Sequence, residues 1–161
     1  MDIRPANPTD PPHLADLWQE RAVLLRQADA RTARHLPARE EWLARLDERM
    51  AAATAAVFVI EETGQPPFGY IIAEIERQQP AGPSLGIIRE MALDAHSYHG
   101  GAGRALVAQA RDWLAAQSVD RIVALVPRYH AVEQAFWRGL GASEWKDKTW
   151  TIPPEFMWMT W

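Results

Sequence analysis

The sequence predicts an α/β fold: a mixed, mostly antiparallel sheet of about seven strands with one parallel pair, flanked by about four helices. Three observations predict it. Segments 55–61, 68–76 and 85–93 are rich in β-branched and apolar residues, and Thr63-Gly64-Gln65-Pro66-Pro67 and Gln79-Pro80-Ala81-Gly82-Pro83 between them are turn chemistry, which gives a three-strand antiparallel meander. After the meander, Gly100-Gly101-Ala102-Gly103 opens an amphipathic helix to about residue 117, and the short apolar run 121–126 follows. Strand, glycine turn, helix, strand is a crossover, so 85–93 and 121–126 are expected to be parallel neighbours.

The remaining elements follow in order. Ile3-Arg4-Pro5-Ala6 reads as a short first strand, and the Asn7-Pro8-Thr9-Asp10-Pro11-Pro12 turn delivers a helix start. Leu14, Leu17, Trp18, Arg21, Leu24 and Leu25 recur at helical spacing. A second helix fits 38–52, with Trp42, Leu43, Leu46 and Met50 on one face, and polar 27–37 joins the two as a loop. A last helix over 131–140 stops at Gly141, and strands at about 143–151 and 155–161 complete the sheet.

A chain of 161 residues, 48% hydrophobic and 24% charged, has the balance of one domain with a real core, here residues 1–161. The absence of cysteine excludes disulfides, thiolate metal sites and a thiol nucleophile. No metal site is expected. The first residues do not read as a secretion signal, no apolar run approaches the roughly 20 residues needed to span a membrane, and a cytoplasmic protein is the expectation. A formal charge of −4 and no basic stripe argue against a nucleic-acid partner.

A single phosphate is a different matter. Gly100, Gly101 and Gly103 stand where a strand ends and a helix begins, so free N–H groups and the helix dipole converge there, and glycine admits both positive φ and close approach of an anion. Glycine turns also exist simply to start helices. No Gly-Lys-Ser/Thr follows, which excludes a Walker A loop. The turn comes after the fourth strand, and Pro127-Arg128 rather than an acid ends the fifth, which fits a Rossmann fingerprint poorly.

The stretch Met91-Ala92-Leu93-Asp94-Ala95-His96-Ser97-Tyr98-His99-Gly100-Gly101-Ala102-Gly103-Arg104-Ala105-Leu106 resembles the acetyl-CoA signature of GNAT acetyltransferases. Ile3-Arg4-Pro5-Ala6, Gly69 and Ala135-Phe136-Trp137-Arg138-Gly139-Leu140-Gly141-Ala142 match the family's pattern in order, so the resemblance covers essentially the whole chain. It implies acetyl-CoA as co-substrate and a parallel pair that splays at one end. The pantetheine arm would bond the backbone of Met91, Ala92 and Leu93, with the Leu93 N–H facing the thioester carbonyl. The diphosphate would rest on the turn formed by Tyr98, His99, Gly100, Gly101, Ala102, Gly103 and Arg104. It also implies transfer of an acetyl group to a primary amine of a small molecule or peptide, by direct attack in a ternary complex.

Two departures from the family's pattern bear on activity. Tyr98 stands where Gln or Arg is usual, and Trp137 where many members place a tyrosine that protonates the leaving thiolate. Indole N–H can hydrogen-bond the departing sulfur but has no usable acidity, and the competing reading of Trp137 is an aromatic plug between the last helix and the sheet. Tyr129 and His130, just before the last helix, are the substitutes to weigh, each against a plain helix-entry role. The two departures together also leave open an acyl-CoA-binding sensor without turnover.

Glu90 is the candidate base, because it interrupts an apolar strand beside the presumed thioester; the competing reading is an ion-pair partner for Arg89 or another cation. Glu74 and Glu76 are weaker candidates, in the pattern of a half-exposed strand. The loop residues Arg26, Asp29, Arg31, Arg34 and His35 face the acceptor side by the same resemblance, or are simply solvated. Trp145, Trp150, Trp158 and Trp161 make a tryptophan-rich tail, which points to a homodimer interface or an apolar pocket, with core packing as the baseline.

Overall fold

The computed structural model describes residues 1–78, 81–96 and 100–161. Seven strands form one sheet in the order β1 (Asp2–Pro5), β2 (Ala55–Glu61), β3 (Gly69–Arg77), β4 (Ser84–Leu93), β5 (Arg121–Pro127), β7 (Phe156–Thr160), β6 (Ser143–Trp145). All neighbours are antiparallel except β4 and β5. The expected meander and crossover are therefore both present.

Helices α1 (Pro11–Ala28) and α2 (Arg39–Ala51) cover one face, and α3 (Ala102–Ala116) covers the other. Helix α4 (Ala131–Gly139) follows β5. Trp18, Trp42, Leu46, Val59 and Tyr70 are buried between the first face and its helices; Leu106, Val107, Ala110 and Leu114 are buried against Ile71, Ile88 and Val126 on the second. Each such aliphatic side chain contributes about 1.5–3 kcal/mol by leaving water.

The proline-rich entry to α1 is fixed locally. Asp10, only 2% exposed, accepts from Arg4 Nη1 at 2.7 Å, Arg4 Nη2 at 3.0 Å and the Asn7 N–H at 2.7 Å, which ties β1 to the start of α1. Pro at the first helical turn costs nothing, because its missing N–H would have had no helical partner.

Two expectations need correction. The stretch 27–37 is not irregular: Ala30–His35 forms a 3₁₀ helix, capped by the Asp29 carboxylate on the Arg31 N–H and by Thr32, whose hydroxyl bonds the Leu25 and Asp29 carbonyls. The strand expected over 143–151 stops at Trp145, and the chain up to Phe156 is a loop. Trp150 lies in that loop, its carbonyl accepting the Trp158 indole N–H at 3.0 Å.

The tryptophans of the tail are packed within the chain. Trp158 is buried with Trp145 and Trp150 against Leu85 and Val123, and Trp161 donates to the Leu140 carbonyl at 3.0 Å. Arg121 and Arg111 lie over the Trp145 and Trp161 rings at 4.9 and 4.3 Å.

Candidate active site

The site begins with an irregularity in β4. Ile72 pairs with Glu90 but Ala73 pairs with Ile88, so Arg89 is an extra residue, a β-bulge. Leu85 and Ile87 lie on the face that meets Val123 and Trp158, while Ile88 meets α3. Strict alternation would send Arg89 to the first face and Glu90 toward α3. Instead both line one cavity, beside Trp42 of α2. The bulge has turned Glu90 over.

Beyond the bulge β4 and β5 part. Their pairing runs from Leu85–Arg121 to Ile88–Ala124 and no further, although β4 continues to Leu93. On the other edge the Asp94 N–H donates to the Phe68 carbonyl at 2.8 Å, so by strand alternation the N–H groups of Met91 and Leu93 point toward the gap. They lack the β5 partner that Ile88 has. Gly69 makes room here: a Cβ on it would meet Leu93 Cδ2 at 2.4 Å.

Helix α3 closes the same end. Its N-cap Gly101 has φ +84° and no side-chain cap, so the N–H groups of Ala102, Gly103 and Arg104 have no acceptor within the helix. A Cβ on Gly101 would find no atom of the described residues within 4 Å. Gly103 is different, since its Cβ would sit 3.1 Å from Phe136 Cε2 and 3.4 Å from Leu93 Cδ1. One glycine supplies a backbone angle and an open approach; the other lets α3 lie against α4 and the end of β4.

Two adjoining cavities occupy the gap. One, about 270 Å³, is bounded by α1, by Met91, Ala92 and Leu93, and by His130, Glu133 and Phe136. The other, about 140 Å³, lies toward α2 and holds Glu90, Trp42 and several arginines. Arg21 and Leu25 line both. Arg21 Nη2 donates to Glu133 Oε1 at 2.9 Å, an ion pair that links α1 to α4 across the opening. Burial works against the Arg21 charge, but the carboxylates of Glu133 and Glu90 outweigh it and hold the guanidinium above its ordinary value.

Glu90 is held by two aromatic donors, the Trp42 indole at 3.1 Å and the Tyr70 hydroxyl. Tyr70 is fully buried; that burial, and then the neighbouring carboxylate, push its hydroxyl well above the usual phenol range. Tyr70 therefore stays a donor. Arg89 does not pair with Glu90: its Nε donates to Glu74 at 2.8 Å and its Nη2 to Glu76. Glu74 also takes Arg49, and although burial pushes its carboxyl up, Arg89 and Arg49 hold it below the usual range.

A family model described as the acetyltransferase (GNAT) family matches residues 15–142. The chain belongs to the GNAT acetyltransferase family. No curated protein matches it. Among solved structures, the BH1408 protein of Bacillus halodurans, as a tetramutant, is 18% identical with a TM-score of 0.76, covering 95% of this chain and 99% of its own. The paia N-acetyltransferase of Thermoplasma acidophilum, in complex with coenzyme A, is 13% identical with a TM-score of 0.75, over 98% and 96% of the two chains. The aminoglycoside N-acetyltransferase AAC(6')-Iy, in complex with CoA, is 16% identical with a TM-score of 0.67, over 94% and 98%. At these identities the likeness is one of fold, and this chain has the splayed pair in the GNAT position.

The structure brings Glu90, Met91, Ala92 and Leu93 to the two cavities and Gly100, Gly101, Ala102, Gly103 and Arg104 to the helix entry beside them. Tyr98 and His99 lie outside the described residues. Trp137 is 2% exposed, stands edge-on to Phe136 and Trp161 in the core, lines neither cavity, and its Nε1 has no partner among the described residues. Phe136, one residue earlier, faces the larger cavity instead. Tyr129 is half exposed under the Arg31 guanidinium and lines neither cavity. His130 does line the larger one; its Nδ1 accepts the Glu133 N–H at 3.2 Å, which assigns the ring proton to Nε2.

Sequence reasoning missed Arg21, Trp42, Tyr70 and Glu133 as site residues. Arg21 carried a signal, a charge on the apolar face shared by Leu14, Leu17, Trp18 and Leu25. For Tyr70 and Trp42 the burial of the ring was legible and the destination of the polar atom was not.

Proposed function

We propose that this GNAT protein transfers an acetyl group from acetyl-CoA to a primary amine, of a small molecule or peptide, by direct attack within a ternary complex. The observation that carries the reading is the β4 edge at Met91 and Leu93, which among the described residues has no strand partner, flanked by a helix N-terminus whose N-cap is the side-chain-less Gly101 on one side and by Glu90 on the other. Those features fit coenzyme A: an extended amide arm can add to the free strand edge, and a diphosphate can take the N–H groups of Ala102, Gly103 and Arg104. The co-substrate supplies an activated acyl group as a thioester.

The chain's own residues supply the rest. The Leu93 N–H is placed to polarise the thioester carbonyl, and Glu90, held by Tyr70 and Trp42, takes the proton that the acceptor ammonium must lose. His130, rather than Trp137 or Tyr129, offers an N–H to the leaving sulfur, since it alone of the three lines the cavity. Direct transfer is favoured because, among the described residues, no serine, threonine or cysteine lines either cavity. The test is thermal stability with and without acetyl-CoA, followed by thiol release with pooled amines, amino acids, antibiotics and peptides. A stabilising shift with thiol release supports the enzyme; a shift without release over the whole panel points to a sensor module; no shift at all removes coenzyme A from the site.

A further inference from the structure

The smaller cavity carries information about the acceptor that the transfer chemistry alone does not. Its one carboxylate, Glu90, faces four guanidiniums, those of Arg21, Arg45, Arg49 and Arg89. Their hydrogen bonds are incomplete. Arg21 donates to Glu133 through Nη2, Arg45 to Glu41 through Nη2, Arg49 to Glu74 through Nε, and Arg89 to Glu74 and Glu76 through Nε and Nη2. Among the described residues, none of the four Nη1 groups has a protein acceptor. Glu74 is shared by two arginines, and Glu41 and Glu76 are 53% and 47% exposed, so water screens the counter-charge they provide.

We infer that the acceptor is an amine that also carries a carboxylate, an amino acid or similarly small amino-carboxylate, with its nitrogen at Glu90 and its carboxylate on the guanidinium wall led by Arg45. A carboxylate matches the planar fork of arginine and accepts the N–H groups left over. Arg45, itself 51% exposed, is the residue to lead, because its one acceptor among the described residues is the exposed Glu41, whereas Arg49 and Arg89 are committed to the half-buried Glu74. Size points the same way. A cavity of about 140 Å³ is smaller than the roughly 300–1,000 Å³ that drug-sized ligands occupy. A polycation such as an aminoglycoside would meet four guanidiniums lining this cavity, whose carboxylate partners other than Glu90 are already engaged in ion pairs behind them. The acceptor class thus differs from that named for the aminoglycoside-acetylating neighbour.

This inference rests on the acyl-transfer reading, and its test separates the two. Thiol release from acetyl-CoA would be compared for matched pairs that differ only in the anion: leucine against isoamylamine, phenylalanine against phenethylamine, and O-phosphoethanolamine against ethanolamine to tell carboxylate from phosphate. Spermidine and kanamycin form the polycation arm. The expected result is a kcat/KM at least tenfold higher for the amino acid of each carboxylate pair, with that ratio reduced about tenfold by Arg45→Gln through KM. Equal or lower values for the amino acids, preference for the phosphate amine or the polycations, or thiol release with none of these amines would overturn the inference while an acetyl-CoA thermal shift leaves coenzyme A binding standing. An unchanged ratio in Arg45→Gln would overturn the assignment to that wall. Loss of the acetyl-CoA shift in the wild-type protein would instead bring down the transfer reading itself.

Discussion

Gly101 and Gly64 make a matched pair for testing where coenzyme A binds. Both have positive φ, +84° and +78°, and at both a Cβ would find nothing within 4 Å. Gly64 is exposed in the turn between β2 and β3; Gly101 caps α3. Leucine at either position should therefore cost the free protein the same left-handed backbone penalty, about 1–2 kcal/mol. For a chain of this size that is a fall in Tm of about 2–8 °C. The ligand response should differ. Acetyl-CoA at about 100 times its Kd stabilises the native state by about 2.7 kcal/mol, an upward shift of roughly 5–10 °C. Gly64→Leu should keep that increment in full, and Gly101→Leu should lose it, because the new side chain fills the space through which the diphosphate reaches the helix N–H groups. Differential scanning fluorimetry with a ligand titration reads both quantities. A Gly101→Leu protein that is destabilised when free yet keeps the wild-type increment would refute the placement.

Two further outcomes follow from the site and a third from the entry to α1. Glu90→Gln retains an acceptor for Trp42 and Tyr70, so the fold and the acetyl-CoA thermal shift should be unchanged while kcat at neutral pH falls by about 10²–10⁴; an unaltered rate in a stopped-time thiol assay would remove Glu90 from the mechanism. Tyr70→Phe removes a hydrogen bond to a charged group, about 1.5–3 kcal/mol, and should lower kcat, but combining it with Glu90→Gln should do no further damage to the rate; strictly additive losses would mean that Tyr70 does not act through Glu90. Burial acts to raise the Asp10 carboxyl, but its bonds from Arg4 and the Asn7 N–H outweigh that and lower it below 3.8, so its stabilisation is complete above the unfolded value and is lost as pH falls through the lower folded one. Asp10→Asn should then be less stable than wild type by about 1–3 kcal/mol at pH 7, and urea unfolding should show the gap closing as pH falls below 3.8; a gap independent of pH would contradict the assignment.

The fold was legible where one local rule sufficed. The meander was visible in its β-branched strands and its Gly/Pro turns, the crossover in the switch from period two to period 3.6 at Gly100-Gly101-Ala102-Gly103, and the stop of α4 at Gly141, whose φ is +88°. The strand overrun past Trp145 has an equally local cause. Lys146-Asp147-Lys148-Thr149 does not propagate a strand, and Asp147 bonds the Thr149 N–H at 2.7 Å in a turn. The backbone part of the candidate site, the β4 end and the glycine entry to α3, was legible for the same reason, being built from consecutive residues. The side-chain part was not, because Arg21, Trp42, Tyr70 and Glu90 come from four separate elements and share no spacing. At Trp137 the packing reading is the one the structure fits: α4 presents Phe136 to the cavity and Trp137 to the core.

The bulge at Arg89 is the point at which these two sides meet. Without the extra residue, Glu90 would fall on the α3 face, among the apolar residues that meet Leu106 and Val107, where an unpaired carboxylate would cost several kcal/mol. With it, Glu90 reaches Tyr70 and Trp42. The same irregularity lies where β4 leaves β5, since pairing stops at Ile88. A single backbone feature thus accompanies both the free strand edge at Met91 and Leu93 and the carboxylate beside it. From Glu90 to Leu93 the strand pairs with β3 in unbroken register, so the bulge leaves the spacing of the Glu90 side chain and the Leu93 N–H as in any strand and sets instead the face on which both are presented.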